Sequence, residues 1–341
     1  MARIPEQRLA RYRGLADRGL WDINNDAFRD FYNRASQEGV ELISNNFNTL
    51  GMFRAPHRKA LDDVDLAIVG IPLDLGVPNP RPGTRKGPEA VRYWSLDRNL
   101  VHYYTGICPY ELCSVIDWGD VECSEDSFSL SACLDAIYRA YQPMVERDIS
   151  TLSIGGEHTC TLIHLDAHAD TSVGFGGTRI SDASLFQVAT VDGLIDPEKT
   201  IQIGIRGRGV PRCDFSYDSG MRVVLAEEFQ EKTAAAIVEE ALEIVGDGRV
   251  YLSIDTDVFD CMCMPGTTLP EPFGLTGREV RDIIRGLREL DIVGADLMEL
   301  SPPYDPTGMS ACLASGIAFE LFCLLAEAKS RRNGKANPTH W

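Results

Sequence analysis

The segment His164-Leu165-Asp166-Ala167-His168-Ala169-Asp170 alternates polar and apolar residues with a period of two. In an extended backbone that spacing sends Asp166, His168 and Asp170 to one side and Leu165, Ala167 and Ala169 to the other. Ser253-Ile254-Asp255-Thr256-Asp257 repeats the pattern with two carboxylates, and another histidine, His158, follows Gly155-Gly156. Carboxylates with some imidazole and no thiolate suit Mn²⁺ better than a soft metal, with Zn²⁺, Co²⁺ and Ni²⁺ left open by ligand type. Two such cations roughly 3.5–4 Å apart lower the pKa of a shared water enough to supply hydroxide near neutral pH. A lone DxD is ordinarily a turn or a solvated strand end. The seven-residue alternation together with a second DxD is far more specific, and it favours a two-metal pocket.

The elements that must position these donors are legible as short β-branched runs at 65–71, 113–117, 150–155, 162–167, 200–205, 222–225, 249–255 and 292–298. Segments 127–147, 233–245 and 276–290 carry apolar residues at three- and four-residue spacing, and Thr276 with Glu279 makes a capping box. The pattern predicts an α/β fold: one three-layer α/β/α domain with an eight-stranded, mainly parallel sheet covered by helices on both faces. No internal repeat or Ser/Pro linker divides it. The expected boundaries are an N-terminal extension over 1–58 that wraps a neighbouring subunit, a catalytic domain over 59–328 and a flexible tail over 329–341. Ligands of such sheets bind beyond the C-terminal ends of the strands, where the donors above fall.

Composition narrows the partners. The chain has 341 residues with 33 Lys and Arg against 51 Asp and Glu, a net charge of −18. That surplus repels phosphate backbones and anionic lipid heads, so neither nucleic acid nor a membrane surface is expected as a partner. No apolar run reaches the length of about 18 residues that reads as a membrane span. Arginines 3, 8, 11, 13 and 18 resemble a mitochondrial transit peptide, but Glu6, Asp17, Asp22 and Asp26 intervene and residues 1–26 contain no serine, which favours a cytoplasmic location. The ten cysteines lack zinc-ribbon spacing, and Cys133, Cys312 and Cys323 read as small core residues.

Several segments together carry a family resemblance. HLDAHAD, SIDTDVFD, GGEH, the MELSPPYD segment at 298–305, GIPLDLGVPNPRPGTRKGPEAVR, IDWGDVE, LIDPEKTIQIGIRG and PGTTLPEPFGLTGREV resemble the motifs of the ureohydrolase superfamily of arginases, agmatinases and guanidino-acid hydrolases, over roughly residues 60–328. The long N-terminal part and the PRPGTRKGP turn resemble the agmatinase branch. The resemblance implies that His158, Asp166, Asp170 and Asp255 hold one Mn²⁺ and Asp166, His168, Asp255 and Asp257 the other, two ions per subunit. It also implies that Glu299 hydrogen-bonds a substrate guanidinium, as suits a carboxylate facing a forked planar cation. Hydroxide then attacks the guanidinium carbon, and an amine and urea leave. Asp170 is a candidate to protonate the leaving amine, and a homo-oligomer, trimer or hexamer, is implied.

Three features depart from the family pattern. Only residues 156–161 separate two predicted parallel strands where the family has a crossover helix, whereas parallel strands need about a dozen connecting residues. Six residues extend to about 20 Å, no more than the return along a six-residue strand, about 20 Å. Either the strand at 150 leaves the sheet or the strand at 162 starts late, and His158 is then the ligand most exposed to displacement. Ser181-Asp182-Ala183-Ser184 stands where agmatinase-like relatives carry a histidine followed by glycine. Asp182 serves as an acid only if burial or another carboxylate raises its pKa, and otherwise caps the next helix. Cys261 follows Asp260 where the family has proline, leaving the loop with Cys261 and Cys263 less stiff.

The expected activity is a binuclear-manganese hydrolysis of a small guanidino compound, agmatine or a related guanidino acid, to an amine and urea. The overall pattern favours agmatine; Arg179 would suit a carboxylate tail instead. The alternative is a catalytically degenerate ureohydrolase-fold protein acting as a partner or regulatory subunit, for which the lost crossover and Asp182 speak, and against which five intact ligands and Glu299 speak. A nucleotide-binding reading lacks a phosphate loop, since Gly174-Phe175-Gly176-Gly177 opens no βαβ fingerprint.

Overall fold

Leu-Ala-Ile-Val-Gly-Ile at residues 66–71 has no polar side chain, and all six residues are buried. A run of this kind is stable only with cover on both faces, the situation of a central parallel strand. In a computed structural model, which describes residues 5–17, 29, 51–75, 81–122, 129–155, 163–173 and 179–335, it is one of eight strands: β1 (Leu66–Ile71), β2 (Val115–Asp120), β3 (Ser150–Gly155), β4 (Ile163–Leu165), β5 (Ile201–Ile205), β6 (Arg222–Leu225), β7 (Arg249–Asp255) and β8 (Asp291–Met298). They form one sheet in the order β2-β1-β3-β8-β7-β4-β5-β6. Every pairing in it is parallel, so the sheet expected to be mainly parallel is wholly so among the described residues.

The longer helices are α1 (Glu6–Asp17), α2 (Gly87–Ser95), α3 (Leu130–Glu146), α4 (Ala234–Val245), α5 (Gly277–Gly286) and α6 (Met309–Arg332). Strand side chains alternate between the two layers. Leu66, Ile68, Leu152 and Ile154 join the main core with Val91 of α2, Ile283 of α5 and Phe322 of α6. Ala67 and Val69 face the other way, onto Ala140 and Met144 of α3. The expected capping box starts α5: Thr276 N donates to Glu279 Oε2 at 2.7 Å, and Glu279 N donates back to Thr276 Oγ1 at 3.3 Å.

Helix α6 is long and apolar enough to cross a membrane by length and composition alone. Here it is a core helix packed on β8, β3 and α2, which is why apolar residues occur all round it. It also runs to Arg332, so the first residues of the segment expected to fray are helical. Lys329 is buried and donates to Asp148 O at 2.6 Å. At the other end, Met52 and Phe53, within the expected extension, are fully buried in the main core, with Phe53 stacked 5.4 Å from Phe322.

The short connection between β3 and β4 leaves a visible mark. Register across the sheet sets Leu152 level with Ala295, Leu252 and Ile163. From Gly155 the chain must come back about three residues, ~10 Å, and cross three strand spacings, ~14 Å. The steps from 155 to 163 reach that far, at most ~28 Å in total, but leave too few residues for a covering helix. β3 keeps its place and β4 yields, with three residues against six. On the α3 face an open cleft of about 520 Å³ is lined by Tyr141, Val145, Tyr251, Val293, Asp296 and Met298. Residues 156–162, and with them His158, lie outside the described residues, as do 174–178.

Candidate metal centre

β8, β7, β4 and β5 are consecutive in the sheet, and their C-terminal ends supply the site. Leu165, Ile254 and Leu297 are in register, so Asp166 follows β4 beside Asp255 at the end of β7, with Glu299 one residue beyond the end of β8. The extended alternation expected through residue 170 stops at Leu165. Beyond it, turns gather the donors. His168 N donates to Asp166 Oδ1 at 2.6 Å, Asp257 N donates to Asp255 Oδ1 at 2.7 Å, and Ala167 N donates to Asp257 Oδ1 at 3.0 Å. The first two are Asx-type turns and the third ties the two loops together, so the turn and metal readings of DxD coexist.

Asp166, His168 and Asp257 bring their donor atoms within 4.8 Å of one another, as do His164, Asp166 and Asp170. His168 Nδ1 lies 2.9 Å from Asp257 Oδ2 and 3.5 Å from Asp166 Oδ1. Asp166, Asp255 and Asp257 are buried. Burial, with Asp257, Asp166 and Glu299 nearby, pushes the Asp255 carboxyl well above its ordinary range. Burial and Asp166 raise Asp257 to about 6, with His168 partly opposing them. Burial alone would lower the His168 pKa, but Asp257 and Asp166 raise it well above normal. Buried carboxylates that repel one another this way are what a divalent cation neutralises. The donor set therefore fits such an ion.

His164 plays a part that its spacing did not reveal. Gln202 Nε2 donates to Ala169 O at 2.7 Å and to His164 Nδ1 at 3.1 Å. An amide NH₂ has only protons to offer, so His164 Nδ1 accepts and its Nε2–H donates to Asp166 Oδ2 at 2.8 Å. His164 thereby orients a carboxylate ligand from behind.

Glu299 and Asp170 hold left-handed backbone conformations, φ 63° and 51°, a conformation that non-glycine residues rarely adopt and that concentrates at functional sites. Glu299 Oε2 accepts from Thr268 Oγ1 at 2.6 Å. Both carboxylates, with His168, Asp182, Asp255 and Asp257, line a cleft of about 60 Å³. Asp182 is thus brought to the site. The cap of the following turn is Ser181, whose side chain closes a capping box with Ser184, so the capping role considered for Asp182 belongs to its neighbour. Arg179 pairs with Asp192 and is absent from the cleft lining. Cys263 is exposed and Cys261 half-buried.

Arg206, Arg208 and Arg212 went unremarked in the sequence. Arg206 is 2% exposed and donates to the carbonyls of Asp257 at 2.7 Å, Glu271 at 2.9 Å, Phe259 at 3.0 Å and Pro272 at 3.0 Å. It fixes the backbone of a ligand from the end of β5. The only sequence signal is a cation directly after the buried strand β5, whose one polar side chain is Gln202. Arg208 and Arg212 lie on the next turn and line the cleft.

Comparison with known proteins agrees with this geometry. The Arginase family model matches residues 64–323. The chain is 37% identical to a guanidinobutyrase of Pseudomonas aeruginosa over 80% of this chain and 91% of that one. It is 36% identical to a mitochondrial agmatinase of Gallus gallus over 87% and 93%. The structure of proclavaminate amidino hydrolase from Streptomyces clavuligerus superposes with a TM-score of 0.77 at 33% identity, covering 84% of this chain and all of that one. A family match over most of the chain, relatives matched along nearly their whole length, and a shared arrangement of strands place this protein in the arginase family, among agmatinase-like ureohydrolases.

Proposed function

We propose that the chain is a manganese-dependent amidine hydrolase that cleaves a small guanidino compound to an amine and urea. The convergence of Asp166, His168 and Asp257 within 4.8 Å at the ends of neighbouring strands carries this reading. Asp166, His168, Asp255 and Asp257 would hold one Mn²⁺; Asp166, Asp170 and Asp255, with His158, the other. When bound, the pair of ions would supply a water ionised near neutral pH. Thr268 holds the Glu299 carboxylate at the cleft for the forked guanidinium. Hydrolysis forms a C–O bond from water and breaks a C–N bond, and the proton released must reach the leaving nitrogen. Asp170 and Asp182 both line the cleft and are the candidate carriers. Assembly as a trimer or hexamer belongs to the same reading, supported by family membership and tested by light scattering.

Urea release assayed with agmatine, arginine, 4-guanidinobutyrate, 3-guanidinopropionate and guanidine, with manganese and nickel in parallel, tests the proposal. Turnover of one of them with two bound ions per subunit supports it. No urea from any substrate, with one ion or none bound, overturns it in favour of a silent subunit that keeps the fold.

A further inference from the structure

We infer that Glu271 is a positioning residue for the metal ligand His168: its carboxylate receives the Nε2–H proton and so holds the ring with Nδ1 toward Asp257 and Asp166. The inference rests on the metal-centre part of the reading above and extends it to a residue behind the ligand set.

Three observations carry it. The first is an orphaned donor. His168 turns Nδ1 toward Asp257 and Asp166. Its Nε2, on the other side of the ring, is buried and has no hydrogen-bond partner among the described residues. A ring nitrogen binds a cation through its lone pair, so a neutral imidazole that ligates through Nδ1 carries its proton on Nε2. A buried N–H of this kind is costly without an acceptor. The second is what stands in front of it. Glu271 Oε1 lies 3.7 Å from His168 Nε2, about 0.7 Å beyond an ordinary N–H···O bond. Glu271 is buried and absent from the lining of the cleft to which His168 contributes, so it stands behind the ligand and out of the substrate's path. A carboxylate so placed fixes the orientation of a ligating ring and raises its basicity.

The third is that this carboxylate is itself built into place. Pro270 and Pro272 flank it in the chain, and Arg206 holds the carbonyls of Glu271 and Pro272 at 2.9 Å and 3.0 Å. Arg208 Nε donates to Glu271 Oε1 at 2.5 Å. An oxygen with two lone pairs accepts from Arg208 and from His168 together. On the far side stands Gly207 at φ 52°, where a Cβ would come within 2.4 Å of Glu271 Oε2. A solvated ion pair with Arg208 would need neither the burial nor the glycine.

The test compares wild type with Glu271→Gln and Glu271→Leu. Metal-free proteins are titrated calorimetrically with Mn²⁺. Imidazole N–H signals of the proteins labelled with nitrogen-15 histidine are recorded with Zn²⁺ as a diamagnetic probe, the His168 signal being identified by its absence from His168→Asn. Glu271→Leu is expected to weaken one of the two Mn²⁺ binding steps by about tenfold to a hundredfold and to leave the other nearly unchanged, since His168 serves one ion. Glu271→Gln keeps an acceptor without the charge and should fall between. The Nε2–H signal should persist in wild type and Glu271→Gln and be lost to solvent exchange in Glu271→Leu. Unchanged Mn²⁺ affinity in Glu271→Leu, or equal weakening of both steps with the Nε2–H signal kept, overturns the assignment. Should Glu271→Leu fail to fold, Glu271→Gln carries the test: a weakening of one step by about threefold or more supports the assignment, and none overturns it. Absence of Mn²⁺ binding in wild type refutes the metal centre and the assignment with it. Two bound ions, one of them dependent on Glu271, with no urea from any guanidino compound refute the hydrolase reading and leave the assignment standing.

Discussion

Glu299 illustrates how one side chain is committed to chemistry at some local cost. Its backbone sits at φ 63° and its Oε2 is held by Thr268, so its direction is set before substrate arrives. Glu299→Gln keeps the shape and removes the charge. It is expected to lower kcat/KM by about a hundredfold or more, the scale of a lost charged contact at a reacting group, with bound metal unchanged by elemental analysis. Arg206 acts on the backbone instead. Replacing it by methionine leaves several buried carbonyls without donors, at about 1–3 kcal/mol each. Urea denaturation should show a loss of at least about 3 kcal/mol, and a result within about 0.5 kcal/mol of wild type would contradict the role given to it.

The titrating groups give a signed expectation of their own. In the metal-free protein Asp257 titrates near 6 and Asp255 is also raised, so the folded chain holds protons that the unfolded chain releases from about pH 4 upward. His168, raised as well, acts in the same direction at higher pH: its stabilising contribution is present below its unfolded pKa and lost as pH rises through the folded one. Stability of the metal-free protein should therefore fall as pH rises, beginning between about pH 4 and 6. Cation binding displaces these protons. The gain in Tm on adding Mn²⁺ should accordingly grow from about pH 5 to about pH 7.5, read from paired melting curves; a gain independent of pH would contradict the coupling.

At the scale of elements, the consequential feature is the connection between β3 and β4. The register leaves no room for a crossover helix, β4 shrinks to three residues, and a cleft of about 520 Å³ opens on the α3 face. Apolar surface left open in this way forgoes roughly 25 cal/mol for each Å² that a helix would cover. Inserting an amphipathic helix of about a dozen residues after His158 is therefore expected to raise Tm by several degrees and to abolish binding of a hydrophobic dye. No change in Tm, with dye still bound, would show that the cleft is not where the missing helix belongs.

For the molecule as a whole, the metal count is the decisive quantity. Asp166 lies at the end of the shortest strand between its two neighbours and would touch both ions, whereas Asp170 would touch one. Dialysis against Mn²⁺ followed by elemental analysis should find two ions per chain in wild type, none in Asp166→Asn and one in Asp170→Asn. Equal metal content in all three would remove the centre from these residues. The net charge of −18 assists capture of a divalent cation at low ionic strength.

The strands, their burial on both faces, the capping box of α5 and the list of site carboxylates could be read from residue types and periods of two and 3.6, because those follow from local backbone geometry. The parts played by Arg206 and His164 could not. A buried guanidinium and a histidine behind a ligand are defined by what surrounds them, and those neighbours lie up to 66 residues away in the chain. The gathering of Asp166 with His168 was read from the right residues for an incomplete reason: the pleat ends at Leu165, and hydrogen-bonded turns bring the donors together. Sequence alone fixed which groups are present and near which strand ends they fall; only the packed sheet decided which of them face one another, because register and burial are properties of segments in contact.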